Sequence, residues 1–147
     1  MKFENYMILE IPSKSANESF ARSAVACFAA QLDPTIEEIN DIKTAVSEAV
    51  TNCIVHAYKN KLGNIYISGE ILENNTLRVK IRDKGCGIEN IEKAMEPLYS
   101  SLGGERAGLG FAVMQSFMDK ITVKSTVNKG TIVTLYKKIS LRYNANA

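Results

Sequence analysis

The chain has 147 residues, 46% of them hydrophobic and 23% charged, a balance that fits one soluble globular domain and excludes a disordered or low-complexity chain. A domain of this length buries about 68–70% of its unfolded surface, so a single core spanning residues 1–147 needs no second domain. The formal charge is only +2, with no basic run beyond a mild Lys137, Lys138, Arg142 cluster near the end, which argues against direct nucleic-acid binding.

Residues 3–11 read as a strand closed by Pro12. Ser15 and Glu18 stand at capping-box spacing and predict a helix through Leu32, with Phe20, Ala24, Phe28 and Leu32 as its apolar stripe. Asp33-Pro34 ends it, because proline pushes the residue before it out of the helical region. Thr35 and Glu38 repeat the capping signal. Ile39, Ile42, Val46, Ala49, Val50, Cys53 and Ala57 then give a longer helix its buried face, and Glu48, Asn52 and His56 form a separate polar stripe on it.

After a turn at Leu62-Gly63-Asn64, residues 65–72 and 77–82 read as an antiparallel hairpin joined through Glu73-Asn74-Asn75. A short helix covers residues 91–95. The stretch from Glu96 to Gly108, with Pro97, Gly103 and Gly104, has the length and composition of a lid or binding loop. Gly110 opens a further helix through Met118. Residues 121–125 and 131–138 close the chain as a second hairpin turned at Asn128-Lys129-Gly130. The fold class that follows is α+β: a single-domain two-layer sandwich, with a mixed, mostly antiparallel sheet and helices on one face.

Cys27, Cys53 and Cys86 are odd in number and carry no CxxC spacing, so neither a disulfide framework nor a zinc site is implied. The N-terminal MKFENY carries an acid where a signal peptide is basic and apolar, and no apolar span approaches membrane length. Both features place the chain in the cytoplasm, with no membrane partner.

Several chemistries drop out on motif grounds. GxxxxGK[ST] is absent, both GxG loops lack the third glycine of a dinucleotide fold, and the HRD and DFG signatures of eukaryotic kinases are missing. His56 is the only histidine, and no GxSxG elbow accompanies it. On a helix, Glu48 and Asn52 share one face at i and i+4. Magnesium takes only one or two protein oxygens beside phosphates, so Asn52 can supply one, leaving Glu48 to accept a proton from an attacking hydroxyl. By spacing alone, a solvated helix face is the commoner meaning.

Asp83 ends a strand ahead of Gly85 and Gly87. A carboxylate there can accept a hydrogen bond from the exocyclic amine of adenine while the glycines let backbone approach the base; a plain turn uses the same residues. Gly108-Leu109-Gly110 leads into a helix whose first amides could hold phosphate, with Arg106 beside it, although a flexible loop reads the same way. The order of these motifs says more than any one of them.

The ordered set ExxxN, DxGxG and GxG, closing on Gly130-Thr131, resembles the ATP-binding module shared by histidine kinases and gyrase-type ATPases over almost the whole chain. Within it, QLDPT, VSEAVTNCIVHAY, RDKGCGI and ERAGLGF are similar to the anti-sigma F family of spore-forming bacteria, which are serine protein kinases. The resemblance implies ATP or ADP with Mg2+ as cofactors. It makes Glu48 the catalytic carboxylate, Asn52 the metal ligand, and Asp83 and Thr131 the adenine-binding pair. Gly85 and Gly87 become the loop under the base, and Gly108 and Gly110 the lid glycines, while Ala107 and Leu109 depart from the small polar residue and Met of the pattern.

The resemblance further implies a homodimer that holds a sporulation sigma factor of the F type when ATP is bound and phosphorylates a serine of its anti-anti-sigma antagonist. A stress-type anti-sigma kinase and a nucleotide-gated binding module without phosphoryl transfer are the alternatives. His56 lies on the nucleotide helix itself and reads as a packing residue, not a phosphoacceptor. Arg22, two positions past Phe20 on a helix without nucleotide motifs, is the candidate partner-binding residue, although by sequence alone a solvated helix arginine is slightly the commoner meaning.

Overall fold

A computed structural model describes residues 3–96 and 105–141, with side chains over residues 4–96 and 110–141. Among these, the strands β1 (Phe3–Pro12), β2 (Asn64–Leu72), β3 (Thr76–Asp83), β4 (Lys120–Thr126) and β5 (Gly130–Lys138) form a 5-stranded sheet in the order β1-β2-β3-β5-β4. Each described pairing is antiparallel. Helices α1 (Ala16–Ala29), α2 (Ile36–Asn52), α3 (Ile91–Met95) and α4 (Glu105–Phe117) supply the second layer, α1 and α4 both packing on α2. The expected α+β two-layer arrangement is the one observed.

Alternation decides which way each strand residue points. Leu77, Val79 and Ile81 of β3 are buried against the helices, with Ile65 and Ile67 of β2 and Val133 and Leu135 of β5. Arg78, Lys80 and Arg82 take the outer face. Asp83 continues the inner series, so the last residue of β3 is a carboxylate on the core side. Its register partner on β5, Thr131, shares that face. The β2–β3 turn is made at Asn74 and Asn75, whose φ values of 62° and 57° are those asparagine tolerates best after glycine.

The two capping boxes fare differently. Thr35 caps α2: its hydroxyl accepts from the Glu38 amide at 3.1 Å, and Glu38 Oε1 accepts from the Thr35 amide at 2.9 Å. The same carboxylate also accepts from the Ser140 amide at 2.9 Å, tying the end of the sheet to the start of the helix. Ser15 instead has helical dihedrals and makes no side-chain cap. The Glu18 amide donates to the Ser15 carbonyl at 3.2 Å, and the Glu18 side chain pairs with Arg22 at 3.6 Å.

The apolar stripe of α1 is also displaced by one position. Ala21, Val25 and Ala29 are buried, Phe28 and Leu32 pack at the margin of the core, and Phe20 is 51% exposed. Small residues at i, i+4 and i+8 let α1 approach α2 closely, and a phenylalanine there would overfill the contact. The expected helix runs only to Ala29 and continues as a 3₁₀ turn, Ala30–Leu32, ended by Asp33 at φ 54°.

The third departure concerns α4, which begins at Glu105 and not at Gly110. Glu105, Arg106, Ala107 and Leu109 are strong helix formers that outweigh two glycines. Gly108 and Gly110 therefore lie inside the helix. Residues 97–104 of the expected lid lie outside the described residues, as does the side chain of Arg106.

Removing the one cap that forms should cost stability and removing the other should not. Thr35→Ala is expected to destabilise the fold by about 0.5–2 kcal/mol and Ser15→Ala by less than about 0.5 kcal/mol. Urea unfolding of both variants measures the difference.

Candidate active site

At Asn52 helix α2 passes into a π-helical turn, Cys53–Ala57, a local widening that recurs at functional sites. The turn is clamped to the sheet. Tyr58, which follows it, donates its hydroxyl to the Asn64 carbonyl at 2.6 Å and accepts from the Lys84 amide at 2.6 Å. The Ala57 carbonyl accepts from the Cys86 amide at 3.1 Å. Gly85 is required by this contact, because a Cβ there would run into the Ala57 carbonyl. Gly87, at φ 75°, sits against the Thr126 carbonyl with no room for a side chain. Both glycines thus serve backbone packing first, and of the two only Gly87 lines the cleft described next.

Between the π-turn, the β3–α3 loop and the start of β5 lies a cleft of about 200 Å³ whose lining includes Asn52, Cys53, His56, Asp83, Ile88, Phe111 and Thr131. Pockets that bury a whole drug-sized ligand run to ~300–1,000 Å³. This one matches a flat heterocycle, with the remainder of a ligand outside. Ala49, Ala94 and Val133 complete its largely apolar walls.

Asp83 supplies the polar group on the floor. It is 6% exposed, and Oδ1 accepts from the amides of Gly85 at 2.9 Å and Thr131 at 3.2 Å. Oδ2 accepts from the thiol of Cys53 at 3.6 Å. Burial holds the carboxyl above its ordinary range, and the hydrogen bonds from Gly85, Cys53 and Thr131 oppose that shift. The Thr131 hydroxyl lies 2.7 Å from that of Ser125, which accepts from the Ile88 amide at 2.7 Å and contacts the Gly130 carbonyl at 3.1 Å. The places of Ser125, Cys53, Ile88 and Phe111 at the site escaped the sequence reading, which put Cys53 only on the buried face of α2. Of these, Ser125 alone had a signal: it is the register partner of Thr131 across the second hairpin.

One turn of α2 from this floor, Glu48 and Asn52 meet Gly110. A Cβ on Gly110 would stand 3.2 Å from Asn52 Nδ2 and 3.4 Å from Glu48 Oε2. Gly110 is therefore a gap kept beside the carboxylate and amide, not a free amide ahead of a helix. Asn52 Nδ2 is buried and has no hydrogen-bond partner among the described residues, the condition of a group that waits for a ligand. Rotation of the amide presents oxygen instead.

Glu48 faces a second, open groove of about 400 Å³, shared with Arg22, Asn40, Lys43, Thr44 and Ser47. Arg22 thus borders the catalytic candidate and is not remote from it. His56 lines the cleft, and its carbonyl accepts from the Cys86 thiol at 3.3 Å. Among the described residues no group of three His, Cys, Asp or Glu is placed to hold a metal, and no helix is long and apolar enough to cross a membrane.

A helix-borne carboxylate and amide, a buried strand-end carboxylate and a glycine facing them define an ATPase of the histidine kinase type. The chain belongs to the histidine kinase-like ATPase domain family, whose model matches residues 11–137. Within it the chain is similar to proteins named anti-sigma F factor. It is 61% identical over 140 residues to that of Caldanaerobacter subterraneus subsp. tengcongensis, covering 95% of this chain and 97% of the relative. Identity to the anti-sigma F factor of Clostridium acetobutylicum is 56% over 139 residues, covering 94% and 96%. Among solved structures, the RsbU and RsbW domains of Rv1364c from Mycobacterium tuberculosis match with a TM-score of 0.68 at 16% identity, over 92% of this chain and 32% of that one. The blue-light activated histidine kinase of Erythrobacter litoralis EL346 matches with a TM-score of 0.58 at 22% identity, over 80% and 40%. These two agree in fold.

The raised Asp83 pKa has a consequence for stability. A carboxyl that binds its proton more tightly folded than unfolded makes the fold less stable as pH rises through its titration range. Asp83→Asn removes that dependence, so the stability of the variant relative to the parent should grow with pH. Urea unfolding of nucleotide-free protein across the acid-to-neutral range measures it; a relative stability that falls as pH rises contradicts the direction.

Proposed function

We propose that the protein is an anti-sigma factor that binds ATP in the cleft, holds a sporulation RNA polymerase sigma factor of the F type inactive, and phosphorylates a serine of the anti-anti-sigma antagonist. The observation that carries this reading is the meeting of Glu48, Asn52 and Gly110 one helical turn from the buried Asp83–Thr131 pair. The cleft takes the base. Asp83 accepts a hydrogen bond from the adenine amine, Thr131 supports it, and Ile88, Phe111 and Val133 pack on the ring.

The triphosphate then runs along α2 toward Asn52 and the first turns of α4, where Gly108, Gly110 and Arg106 are the candidate phosphate contacts. Asn52 is the residue that would hold Mg2+ through its amide oxygen; the bound ion offsets the charge of the β- and γ-phosphates. The buried amide nitrogen, without a partner among the described residues, would donate to a phosphate oxygen while the amide oxygen serves the ion. The serine oxygen attacks the γ-phosphorus, the bond to the β-phosphate oxygen breaks, ADP leaves, and the serine proton passes to Glu48. Phosphoserine brings about −1.5 to −2 of charge to the interface, which favours its release.

Glu48 supports transfer over a nucleotide-gated binding module, because a module that only changes shape has no use for a carboxylate beside the phosphates. The relatives' name supports a sigma factor of the F type over a stress-type partner. Tyr6 and Ile8, exposed on the edge strand β1, offer apolar surface for the second subunit of a homodimer. Free Cys27, Cys53 and Cys86 suit the reducing cytoplasm.

Glu48→Gln should leave ATP affinity within a few-fold while lowering transfer of labelled γ-phosphate to the antagonist by about 10²–10⁴. Sigma factor captured by the ATP-bound variant should match the parent. Transfer at the parental rate refutes the role of Glu48.

Arg22→Ala should weaken binding of at least one protein partner by about 2 kcal/mol, roughly 30-fold, with ATP affinity unchanged. Surface plasmon resonance against both partners decides it. Since Arg22 borders the Glu48 groove, phosphotransfer is measured on the same variant, and parental affinity for both partners returns Arg22 to the solvated surface.

A further inference from the structure

The two oxygens of Asp83 have different surroundings. Oδ1 is held by two backbone amides, those of Gly85 and Thr131. Oδ2 accepts from the Cys53 thiol, with sulfur and oxygen 3.6 Å apart. Cys53 is 3% exposed and lines the cleft. It directly follows Asn52, at the point where α2 widens into the π-helical turn, so one backbone feature aims the amide at one end of the site and the thiol at the other.

A thiol is a weak donor. It satisfies Oδ2 in part, so that the oxygen is neither left bare in an apolar floor nor saturated before a ligand arrives. A hydroxyl would bind that oxygen more strongly, and a methyl group would supply no donor at all.

We propose that Cys53 is a positioning residue for base recognition, its thiol holding the Asp83 carboxylate with Oδ2 turned toward the exocyclic amine of the bound base. This rests on the reading of the cleft as an adenine site. Cys53 acts through Asp83 and does not touch the phosphates or the attacking serine. The thiol faces the carboxylate directly, with sulfur and Oδ2 3.6 Å apart, and acts on it as a hydrogen-bond donor. The other titratable and charged groups around Asp83 are His56, Tyr58 and Lys59 from the end of α2 and the segment after it, Arg82, Lys84 and Cys86 from its own strand and loop, Lys124 from β4, and Lys129 from the β4–β5 turn.

The test is calorimetric titration of the full chain with ADP, from acid to neutral pH, on the parent, Cys53→Ala, Cys53→Ser, Asp83→Asn and the Cys53→Ala/Asp83→Asn double variant. Losing one modest hydrogen bond should weaken ADP binding in Cys53→Ala by about 2- to 12-fold. Because the thiol opposes the rise in the Asp83 pKa, its removal should also move the pH below which binding fades upward. Cys53→Ser should recover part of the affinity. In the Asp83→Asn background the Cys53 substitution should make no further difference, since the two residues act as one unit.

The infrared S–H stretch of Cys53 should shift both on ADP binding and on Asp83→Asn. Cys53→Val, which keeps the volume without the donor, must behave as Cys53→Ala does, and this separates the hydrogen bond from any cavity effect. Parental affinity and pH profile in both the alanine and valine variants overturn the proposal, and so does an equal loss in the two Asp83 backgrounds. If Asp83→Asn binds ADP as the parent does, the adenine reading fails and the role of Cys53 with it. If Asp83→Asn loses ADP binding while Cys53→Ala and Cys53→Val keep it, only the role of Cys53 fails.

Discussion

The register of β3 against β5 is the constraint on which the site depends. Alternation along Leu77, Val79 and Ile81 delivers Asp83 to the inner face, and the pairing with Thr131 sets a hydroxyl and an amide beside it. A slip of one residue would turn the carboxylate to solvent and bring Arg82 into the core. The apolar residues of β3 therefore fix more than the packing of the sheet: they determine that the polar residue ending the strand points into the cleft.

That arrangement works against the stability of the empty protein. Burial raises the Asp83 pKa, and the buried Asn52 amide has an unsatisfied nitrogen. Both sit where a ligand would complete their bonding, the position in which folds tolerate local cost. Surrounding elements hold the two groups in place. Tyr58 bridges the π-turn to β2 and to the β3 exit through two short hydrogen bonds, and the Gly85 and Gly87 backbone packs without side chains against Ala57 and Thr126. Base floor and helix end are in this way parts of one rigid corner.

The strands, both hairpins and α2 were legible because each carries a local signal that tertiary packing reinforces: alternation in β2 and β3, paired asparagines at the turn, and a complete capping box at Thr35. Elsewhere local and tertiary preferences diverge. The Phe20 stripe is more hydrophobic than the Ala21, Val25, Ala29 stripe, yet close helix approach selects small residues. Ser15 has the spacing of a cap but not the backbone. The glycines of α4 read as a helix start because sequence does not reveal that Gly110 is needed for its missing side chain, opposite Glu48 and Asn52. Asp83, Thr131, Glu48 and Asn52 stood out as candidates from their motifs, but the thiol of Cys53 and the Ser125 hydroxyl become visible only once the sheet has brought them to Asp83 and Thr131.

We propose that buried Asp83 makes the cleft specific for adenine. Calorimetric titration of the parent and of Asp83→Asn with ATP and with GTP tests it most directly. The parent should bind ATP and bind GTP poorly, because guanine presents a carbonyl to the Asp83 carboxylate, and Asp83→Asn should lose about 10- to 150-fold in ATP affinity with the loss of a charge-assisted hydrogen bond. Equal affinity of the parent for the two nucleotides, or an Asp83→Asn variant that binds ATP as the parent does, would contradict it.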